Sequence, residues 1–394
     1  MNITIVGGGF GGVKAALELG KDSDNRITLI SANRNFVYYP SLYSTATGHD
    51  HKESWVPLEF IFRNYPNVFL KYDTISSINP TKKTLKGTKL SYHYTKLILA
   101  LGSVTTYFGI EGLDHYAYGI KSEAEIRALQ KHLFRQMGDA GVIDKNYVIV
   151  GGGPTGVELA GALGTYLERL RKFFGLREQK IHITLVEASP RLLPRMSAAA
   201  SRAAAKRLRT LGVKVETKKM VQSATAESLM VSGKPIQSQT IIWTSGVANA
   251  PFFKQNAQHF TLNPRGKVVV DEYMQARPDV FVIGDNADTP LSGLAQTAVH
   301  DGVFVARHIQ RMRSGRKPVA HKTRNLGVVV PIGYNWSIYE RGPIRLTGAL
   351  GAFMRDAADI VGHHDILPMG HAIDTWRAGM RPRLRIPEDL SAAE

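Results

Sequence analysis

Tyr147-Val-Ile-Val-Gly-Gly-Gly-Pro-Thr-Gly-Val-Glu-Leu-Ala-Gly-Ala-Leu163 is the stretch that decides the fold. A β-rich run, Tyr147 to Val150, enters a Gly-x-Gly-x-x-Gly turn at Gly151, Gly153 and Gly156, and a helical pattern leaves it. The first glycine of such a turn permits the tight bend. The second lets a pyrophosphate approach the backbone, and the third lets helix and strand pack closely. Phosphates then meet free N–H groups at the positive end of a helix. Ile3-Thr-Ile-Val-Gly-Gly-Gly-Phe-Gly-Gly-Val-Lys-Ala-Ala-Leu17 repeats strand, turn and helix, with Gly7, Gly9 and Gly12 in the same places. One such turn is weak evidence. Two, each with a strand before and a helix after, predict an α/β chain with two Rossmann-like dinucleotide-binding units.

Composition bounds what surrounds these turns. At 394 residues the chain has room for two domains and an appendage, and 43% hydrophobic residues can fill their cores. No apolar run reaches about 18 residues, so no transmembrane helix is expected. Met1 is followed at once by a strand that enters a glycine turn, which leaves no space for a leader and argues for a cytosolic start. There is no cysteine, which excludes thiol and disulfide chemistry and cysteine-ligated metals. The formal charge of +17 suggests an acidic partner such as a nucleotide or anionic lipid. Nucleic-acid motifs are missing and aromatic–basic interleaving is sparse, so nucleic acid is not expected.

Each Rossmann unit should carry an acid at the end of its second strand, about twenty residues past the turn, for a ribose hydroxyl. After Arg26 to Ile30 that place holds Ser31, a weaker acceptor than a carboxylate. After Ile181 to Val186 it holds Glu187, delayed by an extended basic helix at 165–177. A carboxylate there accepts from both ribose hydroxyls and repels a 2′-phosphate, which favours NAD(H) over NADP(H). Asn35 to Tyr43 is aromatic and could line a flat ring. Residues 68–100 alternate as strands and end in Leu97-Ile-Leu-Ala-Leu-Gly-Ser103, a second approach of backbone to a dinucleotide. Residues 121–138 look helical. Ile241 to Val247 is another strand into a glycine turn, and Asp279-Val-Phe-Val-Ile-Gly-Asp-Asn286 delivers Asp285 at a strand end. The helix starting near Leu294 puts Gln296 and His300 on one face. Between Gly302 and Arg324 stand seven Lys or Arg and no acid.

The tail changes character. Leu326 to Ile332 reads as β, and 346–361 as an amphipathic helix with Leu346, Leu350, Phe353, Met354, Ala357, Ile360 and Val361 in one stripe and Arg355, Asp356 and Asp359 opposite. Ile373, Trp376 and Met380 form a shorter pattern, followed by Arg381, Arg383 and Arg385.

Taken in order, Gly7-Gly-Gly-Phe-Gly-Gly12, Tyr39-Pro-Ser-Leu-Tyr43, Ala100-Leu-Gly-Ser103, Gly151 to Gly161, Leu185-Val-Glu187, Trp243-Thr-Ser-Gly-Val247, Val282-Ile-Gly-Asp285 and Ala295-Gln-Thr-Ala298 resemble the type II NADH:quinone oxidoreductases, among the two-dinucleotide-binding-domain flavoproteins. The resemblance covers nearly the whole chain. It implies an FAD domain in two parts, 1–112 and 246–325, with an NADH domain inserted at 113–245 and a membrane-associating or dimerising segment at 326–394. It implies further that Gly7, Gly9, Phe10, Gly12, Ser31, Pro40, Ala100, Gly102, Asp285, Gln296, Thr297 and Ala298 surround FAD. Gly151, Gly153, Pro154, Thr155, Gly156, Glu158, Glu187 and Gly246 would surround NADH. Glu158 would lie near the nicotinamide and Gln296 beside the isoalloxazine at the quinone site. Three positions depart from the family: Ser31 for the usual acid, His300 where a second glutamine is common, and Leu326 where a lysine precedes a glycine.

The expected reaction passes hydride from NADH to flavin and then two electrons to a membrane quinone, with no nucleophile or metal needed. Glu158 and His300 are the candidates to relay protons, since each can hold one at a tunable pKa. The expected setting is peripheral, on the cytoplasmic face of the cell membrane, with the tail stripe in the interface plane. Alternatives are that the stripe packs on the flavin domain or on a second subunit in a homodimer. For the whole chain, the alternatives are a soluble ferredoxin or rubredoxin reductase and a redox-sensing flavoprotein.

Overall fold

A computed structural model describes residues 1–138, 142–176 and 180–380 and shows two parallel sheets with helices packed on them. The first sheet runs, in spatial order, Gln275–Arg277, Val280–Val282, Lys96–Leu99, Asn2–Val6, Arg26–Ser31 and Val68–Tyr72. Its neighbours are parallel except for the outermost strand, Gln275–Arg277. The second sheet runs Ala117–Tyr118, Thr240–Trp243, Tyr147–Val150, Ile183–Glu187 and Val213–Thr217, all parallel. Its strands fall between 117 and 243, while the first sheet draws on both sides of that stretch. Ser103–Thr105 pairs antiparallel with Val247–Asn249, where the chain crosses out and back.

Parallel strands covered on both faces must be apolar throughout rather than alternating. Ile3, Ile5, Leu97, Ile98 and Phe281 meet that need in the first core, and Tyr147, Ile149, Leu185 and Ile242 in the second. Both cores also draw in residues from outside their sheets: Ile78 and Leu85 join the first, and Leu163 and Leu208 the second.

The two glycine turns have the same build. Gly7 has φ +121° and Gly151 φ +119°. A β-carbon on Gly12 would sit 1.9 Å from the Gly7 carbonyl oxygen, and one on Gly156 would sit 1.8 Å from that of Gly151. Helices Phe10–Gly20 and Pro154–Phe173 therefore leave their strands at a separation that no side chain fits. A third close approach places the helix Ala295–Arg313 on the first unit: a β-carbon on Gly302 would lie 2.5 Å from Gly11 O.

The expected alternation over 68–100 resolves into the strand Val68–Tyr72, an antiparallel trio (Ile75–Asn79, Thr84–Gly87, Ser91–His93) and the central strand Lys96–Leu99. The tail helix starts later than the stripe suggests. Leu346 belongs to the strand Ile344–Gly348, edge of an antiparallel sheet with Ser337–Arg341 and Val328–Pro331. Gly348, at φ +74°, ends that strand and the helix Ala349–His364 follows. A second helix, Met369–Gly379, packs on it. Arg177, Arg381, Arg383 and Arg385 lie outside the described residues.

Candidate functional site

The carboxyl ends of the central strands open onto one cleft of about 430 Å³. Gly7, Gly9, Phe10, Ser31, Ala100, Gly102, Asp285 and Ala298 line it from the first unit, Thr155 from the second, and Gly246 from the crossing that joins them. Ligands in open α/β sheets sit in such crevices. A β-carbon on Gly9 would meet nothing within 4 Å, so the amide end of the helix Phe10–Gly20 opens directly onto the space. Gly153 is equally bare at the head of the helix Pro154–Phe173. These are the cradles a pyrophosphate requires.

The far wall is a hydrogen-bonded lock between two loops. Asn286 Nδ2 donates to Gly102 O at 2.6 Å, and Gly102 N donates to Asn286 Oδ1 at 3.1 Å. Lys121 Nζ donates to Ser103 Oγ at 2.7 Å, and Ser103 Oγ donates to Asp285 Oδ2 at 2.6 Å. Burial lowers the Lys121 pKa, with Asp285 and Glu125 pulling it back. Lys121 thus sets a cation against the cleft wall beside Asp285. Sequence reading missed it, because a lone lysine at a helix start carries no pattern.

Ser31 lies under Gly8 with its hydroxyl already bonded within its own loop: it donates to Asn33 O at 2.7 Å and accepts from Asn33 N at 3.2 Å. Glu187 stands at the end of its strand. One carboxylate oxygen accepts from Gly152 N and the other from Ser189 N, both at 2.6 Å. Each oxygen keeps a second lone pair for a ribose hydroxyl.

Gly12, Pro40, Gly151, Gly153, Pro154, Gly156, Glu158, Glu187, Gln296, Thr297 and His300 do not line the cleft itself. Gly12 and Gly156 act beneath their turns. Thr297 ties the helix start to its loop by donating to Leu291 O at 3.0 Å. Gln296 Nε2 donates to Gly327 O at 2.9 Å, while its neighbours Ala295 and Ala298 border the cleft. His300, on the same helix face as Gln296, turns to His321, ring centroids 5.3 Å apart, and does not line the cleft. Burial, and then His321, lowers its pKa.

Glu158 is buried in a polar network that the sequence did not reveal. Arg355, from the helix Ala349–His364, lies 3.8 Å from its carboxylate. The guanidinium also donates to Asp359 Oδ2 at 2.6 Å and to Pro40 O at 2.7 Å. Tyr38 donates to Asp359 Oδ1 at 3.1 Å and stacks on His363 at 3.9 Å. Burial pushes the Glu158 carboxyl up to about 7, against the pull of Arg355. Burial, reinforced by Asp359, pushes Glu53 up to about 8; Ser44 donates to it at 2.9 Å. Burial alone would lower the Arg355 pKa, but Asp359, Tyr43 and Glu158 raise it well above its ordinary value.

The tail helix is consequently inverted. Its polar face, Arg355, Asp359 and His363, packs inward, and its apolar stripe faces out: Leu350 is 65% exposed, Phe353 68% and Val361 60%. No described helix is long and apolar enough to cross a membrane.

Comparison with known proteins gives a consistent picture. A family profile described as pyridine nucleotide-disulphide oxidoreductase matches residues 1–302. The type II NADH:quinone oxidoreductase Ndh of Mycobacterium tuberculosis is 28% identical over 374 residues, 88% of this chain and 81% of that one. The type II NADH:quinone oxidoreductase of Staphylococcus haemolyticus is 25% identical over 383 residues, 91% of this chain and 94% of that one. Among solved structures, NDH2 from Plasmodium falciparum in complex with NADH superposes with a TM-score of 0.82 at 17% identity, covering 95% and 97% of the two chains. The sulfide:quinone oxidoreductase of Aquifex aeolicus gives 0.76 at 18%, covering 91% and 89%.

Proposed function

The chain belongs to the pyridine nucleotide-disulphide oxidoreductase family, and on that premise we propose that it is a flavoenzyme that oxidises NADH and reduces a quinone. With no cysteine, it has no dithiol for the disulphide chemistry in the family's name. The observation that carries the reading is one shared cleft, which touches the first glycine turn at one side and Thr155 of the second at the other, with Gly246 where the chain crosses between the two. Relatives named type II NADH:quinone oxidoreductase over most of the chain support the donor and acceptor.

FAD fits the first unit on three observations: the bare Gly9, the amide end of its helix, and the Asp285–Ser103–Lys121 wall. Gly7, Gly9, Phe10 and Gly12 would hold its pyrophosphate, Asp285 its ribityl region, and Ser31 a ribose edge. Ala100, Gly102, Thr297 and Ala298 would frame the rest. When bound, FAD supplies a two-electron carrier that accepts hydride and releases electrons to the acceptor. The chain's own residues position and insulate. Gly151, Gly153, Pro154, Thr155 and Gly156 would hold the NADH pyrophosphate, Glu187 its ribose and Gly246 its nicotinamide end. Glu158, with its carboxyl pushed up to about 7, would hold a proton behind this region, and Gln296 would act at the acceptor end from beside the cleft-lining Ala295 and Ala298. The contacts of His300 lead away from the cleft, so the proton-holding role rests with Glu158. The outward stripe Leu350, Phe353 and Val361 supports attachment to the cytoplasmic membrane surface, where quinones dissolve, with a tail-to-tail homodimer as the other use of the same face.

The test is spectroscopic. Purified protein should carry flavin absorbance that bleaches with NADH and returns with a soluble quinone over many turnovers. Bleaching without return would make it an NADH-binding flavoprotein and not a quinone reductase.

A further inference from the structure

Away from the cleft, three ligand-bearing side chains meet where the helix Ala295–Arg313 touches the irregular segment 316–327. His300 and Asp301 are neighbours on the helix, and His321 comes from the segment. One ligand atom of each lies within 4.8 Å of the others. Asp301 is wholly buried and the His321 side chain is 7% exposed. His321 Nε2 is 2.9 Å from Asp301 Oδ1. Yet His300 Nδ1, Asp301 Oδ1 and His321 Nε2 are all buried and none has a partner of hydrogen-bond geometry. A buried polar atom without a partner is costly and uncommon. Two of the three face each other at ion-pair distance outside hydrogen-bond geometry, and His300 Nδ1 has nothing, so a single ion between them would satisfy all three.

The surroundings fix these groups in place. The second oxygen of Asp301 accepts from Gly284 N at 3.0 Å. The His321 ring meets Phe304 edge-on at 4.9 Å, and its backbone N–H donates to Glu272 O at 2.7 Å. Such outer contacts orient metal ligands. An ion pair between Asp301 and a protonated His321 would occupy two of the three atoms and still leave His300 Nδ1 unpaired.

We propose that His300, Asp301 and His321 form a binding site for a divalent transition-metal ion of the Zn²⁺ class. Two imidazoles and one carboxylate suit Zn²⁺, Co²⁺ or Ni²⁺, whereas Mg²⁺ and Ca²⁺ prefer oxygen. A tetrahedral ion with bonds of about 2.1 Å sets its ligand atoms about 3.4 Å apart. Asp301 Oδ1 and His321 Nε2 are 2.9 Å apart, and the three ligand atoms all lie within 4.8 Å of one another, a spread that small side-chain shifts close onto one ion. Water takes the fourth position on the half-buried His300 side. The ion staples the segment 316–327 onto a helix whose first turn borders the cleft. The site stands independently of the proposed reaction, and so does its test.

Flavin-loaded protein is treated with a chelator, then titrated with ZnCl₂ by calorimetry and with CoCl₂ by visible absorption beyond the flavin bands. The expected result is one equivalent bound, with a raised Tm. His321→Phe keeps the ring packing and removes a ligand; His300→Gln removes another. Each should weaken binding at least about 100-fold, beyond the loss typical of an outer contact, and cancel the Tm rise. Flavin content and near-ultraviolet circular dichroism of the metal-free variants separate a lost ligand from misfolding. Unmutated protein that binds neither ion overturns the proposal, as does unchanged affinity in both variants.

Discussion

The Arg355 guanidinium lies 3.8 Å from the Glu158 carboxylate, joining the tail helix to the first helix of the second glycine turn. Arg355 is 7% exposed and also holds Asp359 and the Pro40 carbonyl. Removing the cation from a buried ion network strips its carboxyl groups of their main partner, at a cost of about 3–5 kcal/mol. Arg355→Met should therefore lower Tm by several degrees. It should also push the Glu158 carboxyl higher still, since Arg355 is what holds it down. A calorimetric Tm unchanged from the parent would show that the network contributes nothing to stability.

Glu158 makes the stability depend on pH in a definite direction. Its folded carboxyl, pushed up to about 7 from an ordinary 4.5, holds its proton more tightly than the unfolded one does. The stabilisation is complete below the ordinary value and is lost as pH rises through about 7. Glu53 acts in the same sense up to about 8. Glu158→Gln should remove its own share, on the order of 1–3 kcal/mol, and leave that of Glu53. Denaturant midpoints measured across this window in both proteins give the difference. Parallel curves would place the Glu158 titration elsewhere.

Gly9→Val tests the flavin turn. A β-carbon alone meets nothing at Gly9, so the variant should fold, but its side chain fills the space a pyrophosphate needs. Flavin content after purification should fall below about a tenth of the parent's, the equivalent of more than 1.4 kcal/mol. Full yellow stoichiometry would move the flavin to another turn.

Much of this was legible in the chain, for a physical reason. The strand before each glycine turn is rich in Ile and Val, so Ile3 to Val6, with Thr4 its one polar residue, and Tyr147 to Val150 announce buried parallel strands, and Gly12 and Gly156 announce the close helix. Local sequence decides these features. Lys121, Arg355 and His321 were illegible because their meaning is set by partners far along the chain: Asp285 for Lys121, Glu158 for Arg355, His300 for His321. Helical spacing put His300 on the Gln296 face, where the structure has it, but only the fold brings up the segment it turns to. The helix Ala349–His364 is amphipathic as the stripe from Leu350 to Val361 suggested, while Leu346 belongs to a strand. Which face lies inward was not readable, since Arg355 and Asp359 bury themselves only by finding Pro40, Tyr38 and Glu158.

The donor preference rests on Glu187. Glu187→Gln keeps an acceptor for Gly152 N or Ser189 N and so spares the turn, but removes the charge that would repel a 2′-phosphate. The ratio of kcat/KM for NADH over NADPH should fall by about tenfold, which is about 1.4 kcal/mol of discrimination. Equal kcat/KM for the two donors in the unmutated enzyme would sink the assignment.

The outward stripe gives the last expectation. Leu350, Phe353 and Val361 stand more than half exposed on one side of a helix whose opposite side is committed to Arg355, Asp359 and His363. Rotating the helix to hide the stripe would break that network, so the apolar face stays out. Apolar side chains entering a lipid interface gain roughly 25 cal/mol for each Å² removed from water, and the excess basic charge would add attraction to anionic headgroups. Leu350→Glu with Phe353→Glu should leave flavin content, Tm and turnover with a soluble quinone close to the parent's, since neither residue belongs to the network. Sedimentation with vesicles containing anionic phospholipid should fall by at least about tenfold. If the parent stays in the supernatant at low salt and instead sediments in the ultracentrifuge as a dimer that the double variant splits, the stripe is a subunit interface and the membrane reading fails.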